Sequence, residues 1–254
     1  MKRKIVGVLF RLALKTAPLV GVLLLWDIVC RYEVFSPAVL PSPERTWDTL
    51  LRLISNGKLV SSLTISFERV IKGFLIGTTS GIIVGIIMGL SRIVNNLLSS
   101  LVEVLRPIPM IAWIPLLILW LGIGEPSKIA VIALGGFWPT LLNTIHGIRS
   151  ADSKLLEVAD ILEKNSFEKL IKVVLPSAFP SIFTGFRLGM GVSWSCVVAA
   201  EMIASHEGIG YMITFARELS QPDGVMIGML AIGIFGLIID SAIRFLQRKL
   251  LKWY

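Results

Sequence analysis

Six separate apolar runs govern what this chain can fold into. They lie at about residues 16–35, 73–91, 107–124, 129–148, 182–203 and 224–239. Each approaches the ~20 residues that an α-helix needs to cross the hydrocarbon of a bilayer. The second, third and fourth contain no Asp, Glu, Lys or Arg, the fifth carries Arg187 and Glu201 towards its ends, and Asp223 and Asp240 bound the sixth. One such run could be the buried helix of a soluble domain. Six of them in 254 residues leave almost no chain to cover them. Only 17% of residues are charged, against about 25% in an ordinary soluble domain. The expected fold is therefore all-α: a polytopic membrane protein with six transmembrane helices, residues 1–254 forming one membrane domain.

The formal charge of +8 would suggest nucleic acid if the basic residues formed a stripe, but they fall between the apolar runs. That placement points to the membrane surface. With the N-terminus inside, the inner segments hold Lys2, Arg3, Lys4, Arg11 and Lys15; Arg92 and Arg106; Arg149, Lys154, Lys164, Lys169 and Lys172; and Arg244, Arg248, Lys249 and Lys252. Arg187 snorkels to the same side. These are 17 of the 25 basic residues, so both termini are expected in the cytoplasm. The start has the basic head and apolar stretch of a signal sequence, yet no small-x-small cleavage site follows, and an uncleaved first span is expected. Cys30 and Cys196 form neither a disulfide framework nor a metal cluster.

Two connections have structure of their own. Outside, Pro37, Pro41 and Pro43 give an irregular start, after which TWDTLLRLI reads as a short helix in or near the interface. Inside, residues 149–181 place Leu155, Val158, Ala159 and Leu162, then Phe167, Leu170, Ile171 and Val174, at helical spacing. The segment reads as two short amphipathic helices joined near Asn165 and Ser166. Pro176 and Pro180 are expected to restrict the backbone before the fifth span. Periodicity leaves two readings open, a hairpin that shields the bundle and a surface that docks a partner. Residues 204–223, with Gly208 and Gly210, form a last outer connection, short and amphipathic or partly re-entrant.

Within the spans, Gly73, Gly77, Gly81, Gly85 and Gly89 make a smooth stripe for close helix packing, within or between subunits, and Gly185 and Gly189 make a second seam. Pro107, Pro109 and Pro115 kink the third span. Asp27 and Arg31 are placed to pair at i,i+4. Glu201 and Asp240 are expected near opposite surfaces, satisfied by water or backbone. His146 and His206 read as surface or hydrogen-bonding residues, and Ser193, Ser195 and Cys196 lack a histidine to activate them. Trp26, Trp47, Trp113, Trp120, Trp138, Trp194 and Trp253 lie largely within or at span ends, and belt anchoring accounts for several. Trp113, Trp138 and Trp194 lie deeper and are candidates for the lining of a translocation path. There is no G-x-x-x-x-G-K-[ST] phosphate loop, so energy for pumping must come from an ion gradient or another polypeptide.

At EVADILEKNSFEKLIKVVLP (157–176) the chain resembles the cytoplasmic coupling loop of permease subunits of ATP-binding-cassette importers, in the binding-protein-dependent family serving nitrate, sulfonate and taurine. The resemblance extends through LPSPERTWDTL (40–50), SFERVIKGFLIG (66–77), LRPIPMIAWIPLLILWLGIGEPSK (105–128), LPSAFPSIFTGFRLG (175–189) and VAAEMIASHEGIGYMI (198–213). It implies a type I importer permease fold, and it favours the docking reading of the 149–181 loop. Glu157, Val158 and Ala159 match the loop's opening Glu-Ala-Ala, Leu175 and Pro176 its closing Leu-Pro, and Glu163 stands where the family usually has the glycine of the bend. Leu162, Phe167 and Leu170 complete the expected ATPase-coupling surface. The resemblance further implies a homodimer, two ATPase subunits that bind ATP and Mg, an extracytoplasmic binding protein and a small-molecule substrate such as a sulfonate. No cofactor, metal or catalytic residue is expected in this chain, and no nucleic-acid partner. The alternative is a secondary transporter or channel independent of an ATPase.

Overall fold

The computed structural model describes the backbone of residues 2–251, and the side chains from Thr16 onward except those of Leu19 and Ser153. Every regular element among the described residues is helical. In chain order these are α1 (Lys2–Arg31), α2 (Pro43–Ser55), α3 (Lys58–Leu90), α4 (Arg92–Leu105), a 3-10 turn (Met110–Trp113), α5 (Ile114–Leu121), α6 (Glu125–Arg149), α7 (Ser153–Ile161), α8 (Ser166–Lys169), a π turn (Leu170–Val174), α9 (Leu175–Ala204), α10 (Ile209–Glu218) and α11 (Pro222–Leu250). Among the described residues four helical stretches are long and apolar enough to cross a membrane, and five if the bent pair around residues 106–109 counts as one. The basic side chains expected at 2–15, Lys252 and Trp253 lie outside the described residues.

The chain forms two compact units, one of residues 1–60 with 212–230 and one of 61–211 with 231–254. In the first, Ser42 caps α2 by accepting from the Arg45 amide, and Pro43 takes the first turn, where its missing N–H costs nothing. The polarity of α2 is turned inside out. Thr46 and Thr49 are buried, with Thr49 donating to Asp223 at 2.7 Å, while Trp47, Leu51 and Ile54 are exposed. That suits the interfacial helix expected from TWDTLLRLI. Trp26 Nε1 donates to the Pro41 carbonyl at 2.9 Å, and Asp27 pairs with Arg31 at 2.7 Å as the spacing predicted.

In the second unit α6 packs along α3 and α9. The glycine stripe of α3 faces α6: a Cβ at Gly73 would lie 2.6 Å from that of Ile132, one at Gly85 2.7 Å from that of Thr144, and one at Gly77 would overlap the Ala133 carbonyl. The stripe therefore serves packing within the chain. Gly185 and Gly189 bring α9 close to Pro139, Thr140 and Gly136 on the adjacent face of α6. Val70, Phe74, Ile132, Trp194 and Val197 fill the core between these helices.

Three expectations need correction. The third run is no continuous kinked span: α4 and the 110–121 segment meet at 94°, and α5 alone has eight residues. That is about 12 Å of helix. Pro107 and Pro109 withhold two amide donors within three residues, and the chain breaks there. The second helix starts at Lys58 rather than near 73, because Glu68, Arg69 and Lys72 are charges that a hydropathy window rejects and a helix tolerates. Pro176 and Pro180 do not precede the fifth span; one helical stretch runs from Ser166 to Ala204 through both. The ring of Pro176 would press on the Lys172 carbonyl in a regular helix, and Lys172 lies within the wide π turn that makes room for it.

Candidate functional site

In the 149–181 connection the short helix α7 and the start of the long helical stretch from Ser166 meet at a sharp turn. Asp152 caps α7 by accepting from the Lys154 amide at 2.9 Å. At its other end the Lys164 amide donates to the Ala159 carbonyl (3.0 Å) and the Glu163 amide to that of Asp160 (2.9 Å). This is a Schellman closure, which places residue 163 in the left-handed region. Glu163 has φ +51°, so the bend stays at the position where the resemblance has glycine. Asn165 then caps α8 by accepting from the Glu168 amide at 2.8 Å. Asp160 bonds Lys169 across the turn, and Glu168 pairs with Lys172 at 2.7 Å.

A non-glycine residue in that region costs roughly 1–2 kcal/mol, and glycine's extra chain entropy offsets about half of it. Glu163→Gly should therefore stabilise the purified subunit by about 0.5–1 kcal/mol. Glu163→Val should destabilise it, and the midpoints of thermal unfolding in detergent would show both.

The turn divides the predicted coupling residues by exposure. Ala159 is buried, and Leu170 packs against Val174, Ile148 and Ala178, fixing the loop to α6 and α9. Leu175 is half-buried. Glu157, Val158, Leu162, Glu163, Phe167 and Pro176 are exposed. Ile161, which the periodicity passed over, is the most exposed of the apolar group at 80%, with Phe167 at 70%. Two amphipathic helices thus present their apolar side chains outward, beside a cleft of about 710 Å³ lined by Val158, Ala159, Leu162, Lys172 and Pro176.

The three tryptophans do not gather in one place. Trp113 is half-buried at the edge of the main core. Trp194 lies inside that core, stacked near Phe235 and donating to the Ile232 carbonyl at 3.1 Å. Trp138 is buried with Met88 and Leu141 in a second core. The Nε1 groups of Trp113 and Trp138 meet no acceptor among the described residues.

At the end of the second unit away from α7, Glu201 belongs to a cluster of charges brought together from distant parts of the chain. Arg69 of α3 donates through Nε and Nη2 to Glu125 (2.9 and 2.7 Å) and through Nη1 to Glu201 (2.7 Å) and the Glu207 carbonyl (2.9 Å). Glu201 also accepts from Ser66 at 2.8 Å and from the Gly210 amide at 3.0 Å, and Lys128 pairs with Glu125 at 2.7 Å. Glu201 is 1% exposed. The expectation of water or backbone holds only for the Gly210 amide: a carboxylate at such depth is tolerated because a guanidinium, a hydroxyl and that amide replace its hydration. The cluster ties α3, α6, α9 and the turn before α10 together. Asp240 is likewise held by side chains, accepting from Arg187 Nε and Arg244 Nη2 at 2.7 and 2.6 Å. His146 and His206 are both exposed.

The family described as "Binding-protein-dependent transport system inner membrane component" matches residues 81–252. A Bacillus subtilis (strain 168) permease named for aliphatic sulfonates transport is 42% identical over 91% of this chain and 84% of its own. The taurine transport system permease protein of Escherichia coli (strain K12) is 35% identical over 96% of this chain and 90% of its own. Among solved structures, an amino acid ABC transporter chain superposes with a TM-score of 0.66 at 15% identity, covering 79% of this chain and 97% of that one.

Proposed function

The chain belongs to the family of binding-protein-dependent transport system inner membrane components, and we propose that this translocation subunit of an ATP-driven importer crosses the cytoplasmic membrane of a prokaryote six times, with both termini in the cytoplasm. The sixth span is α1, whose 30 residues exceed the ~20 that a crossing needs. Two copies face each other to form the path as one permease domain each. Two ATPase subunits, which bind ATP and Mg, dock on the α7–α8 loops. An extracytoplasmic binding protein delivers the solute. ATP-driven approach of the two ATPases draws the loops together and rocks the bundles about the path, which is alternating access with the chemistry confined to the partner. The solute is a sulfonate or a similarly small anion, as the names of the sulfonate and taurine relatives suggest.

The observation that carries this reading is the outward apolar face of the α7–α8 turn. Ile161 and Phe167 are exposed, with Val158 and Leu162, on a loop that Leu156, Leu170 and Val174 anchor to the bundle. An exposed apolar cluster rimmed by charge is the surface of an interface. Ile161→Glu and Phe167→Glu should leave the subunit folded and weaken its association with the ATPase at least ~5-fold, since each removes about 1 kcal/mol or more of buried contact. Undiminished copurification of both variants would remove the docking role.

A further inference from the structure

Away from the coupling loop and the Arg69 cluster, α9 carries a further exposed surface. Along its face turned from α6, Thr184, Gly191 and Ser195 are exposed beside Leu188. With α11 this face borders a cleft of about 680 Å³. The volume lies within the ~300–1,000 Å³ range of small-ligand sites. A Cβ at Gly191 would meet no atom within 4 Å, so the cleft is open there. Its apolar wall is Leu188 with Ile239 and Ile243.

The cleft's charge is unbalanced. Arg187 donates Nε and Nη2 to Asp240 at 2.7 and 3.4 Å, and Arg244 reaches the same carboxylate from the next turn of α11. Two guanidiniums share one carboxylate, leaving a net +1. Among the described residues Nη1 of Arg187 meets no acceptor, and the side chain keeps 36% exposure. Arg187 therefore has a spare donor and an uncompensated charge beside an apolar wall. An arginine within a span is costly against lipid and marks a functional site by default.

We propose that the cleft between α9 and α11 binds an organic anion, with Arg187 holding the acid head and the Leu188–Ile239–Ile243 wall taking a short alkyl part. Asp240, neutralised by Arg244, positions Arg187. The proposal rests on the translocation reading and assigns a place and a chemistry to its solute. A sulfonate, a carboxylate and a lipid phosphate share the anionic head, and the solute is separated from lipid by the bilayer used.

The test uses the assembled importer in phosphatidylcholine proteoliposomes, with Cys30→Ser and Cys196→Ala as background and Ser195→Cys as a maleimide target in the cleft. Butane-1-sulfonate should slow labelling, and butylammonium should not. Arg187→Gln should raise the half-protecting concentration about tenfold, the loss of one charge-assisted hydrogen bond, and Arg187→Lys should raise it less. Gly191→Leu, for which there is room, should abolish protection in an assembled complex and so tests the site without touching the ion pair. Labelling indifferent to butanesulfonate, or protection unchanged in both Arg187→Gln and Gly191→Leu, would overturn the site. So would protection appearing only when phosphatidylglycerol is added, which would make the cleft a lipid site. ATP-dependent uptake without protection refutes the site alone, whereas protection without ATP-dependent uptake refutes the importer reading it rests on.

Discussion

Replacing Arg69 or Glu201 by alanine is expected to destabilise the subunit by about 3–5 kcal/mol, the cost of leaving one member of a buried ion pair alone. The two variants differ in what they strand. Arg69→Ala leaves Glu201, 1% exposed, with only the Ser66 hydroxyl and the Gly210 amide for its charge. Glu201→Ala leaves Arg69 its bonds to Glu125 and the Glu207 carbonyl. Arg69→Ala should therefore be the more severe. Arg69→Lys should fall between Arg69→Ala and the parent, because one ammonium cannot reproduce the fork that spans two carboxylates. A double-mutant cycle between positions 69 and 201, read from unfolding in detergent, should give a coupling energy of at least about 2 kcal/mol. A coupling near zero would mean that the pair is solvated. Gly208 belongs to the same assembly, since at φ +106° a Cβ would overlap the Glu201 carboxylate. Its replacement by alanine should loosen the turn before α10.

The second large effect is expected at Gly77. There an added methyl would run into the Ala133 carbonyl, a backbone atom that cannot swing aside as a side chain can. Gly77→Ala should cost about 3 kcal/mol, the upper end for overpacking, and Gly77→Leu should yield little folded protein. At Gly89 the nearest atoms are side-chain carbons of Ile148 at 2.9 Å and beyond, which can repack, so Gly89→Ala should be milder. Gly191→Ala meets nothing within 4 Å and should be close to neutral. The order Gly77, Gly89, Gly191 in unfolding midpoints tests whether the stripe is a contact within the chain. Equal tolerance at all three positions would contradict the α3–α6 packing.

How much of this could be read from the sequence depends on how local each signal is. The Asp27–Arg31 pair and the turn of the 149–181 loop are written within a few turns of chain and sit where the spacing placed them, whereas of the apolar runs the second lies in a longer helix and the third is broken. Glu163 departs from the family's usual glycine, and the Schellman closure keeps the bend at that position. The break at 106–109 was less legible, because prolines in an apolar run fit a kinked span and a broken one alike. The Arg69–Glu125–Glu201 cluster was not legible. Its members lie 56 and 132 residues apart in sequence, and a charge at a span end reads as water-facing until its partner is known. One signal could have found it: Ser66, Arg69, Glu125 and Glu201 all fall inside the segments that carry the family resemblance. The cleft at Arg187 was hidden for the same reason, as snorkelling needs no partner and Asp240 is 53 residues away.

ATP hydrolysis in another protein should drive the opening of the path that this chain forms. Solute uptake into proteoliposomes holding the chain, its ATPase and its binding protein tests it most directly, with butane-1-sulfonate as the probe. Uptake should require ATP, should vanish when the ATPase carries a substituted Walker lysine, and should fall in step with ATPase association in Ile161→Glu and Phe167→Glu. Uptake that continues without ATP, or that follows an imposed ion gradient instead, would contradict it.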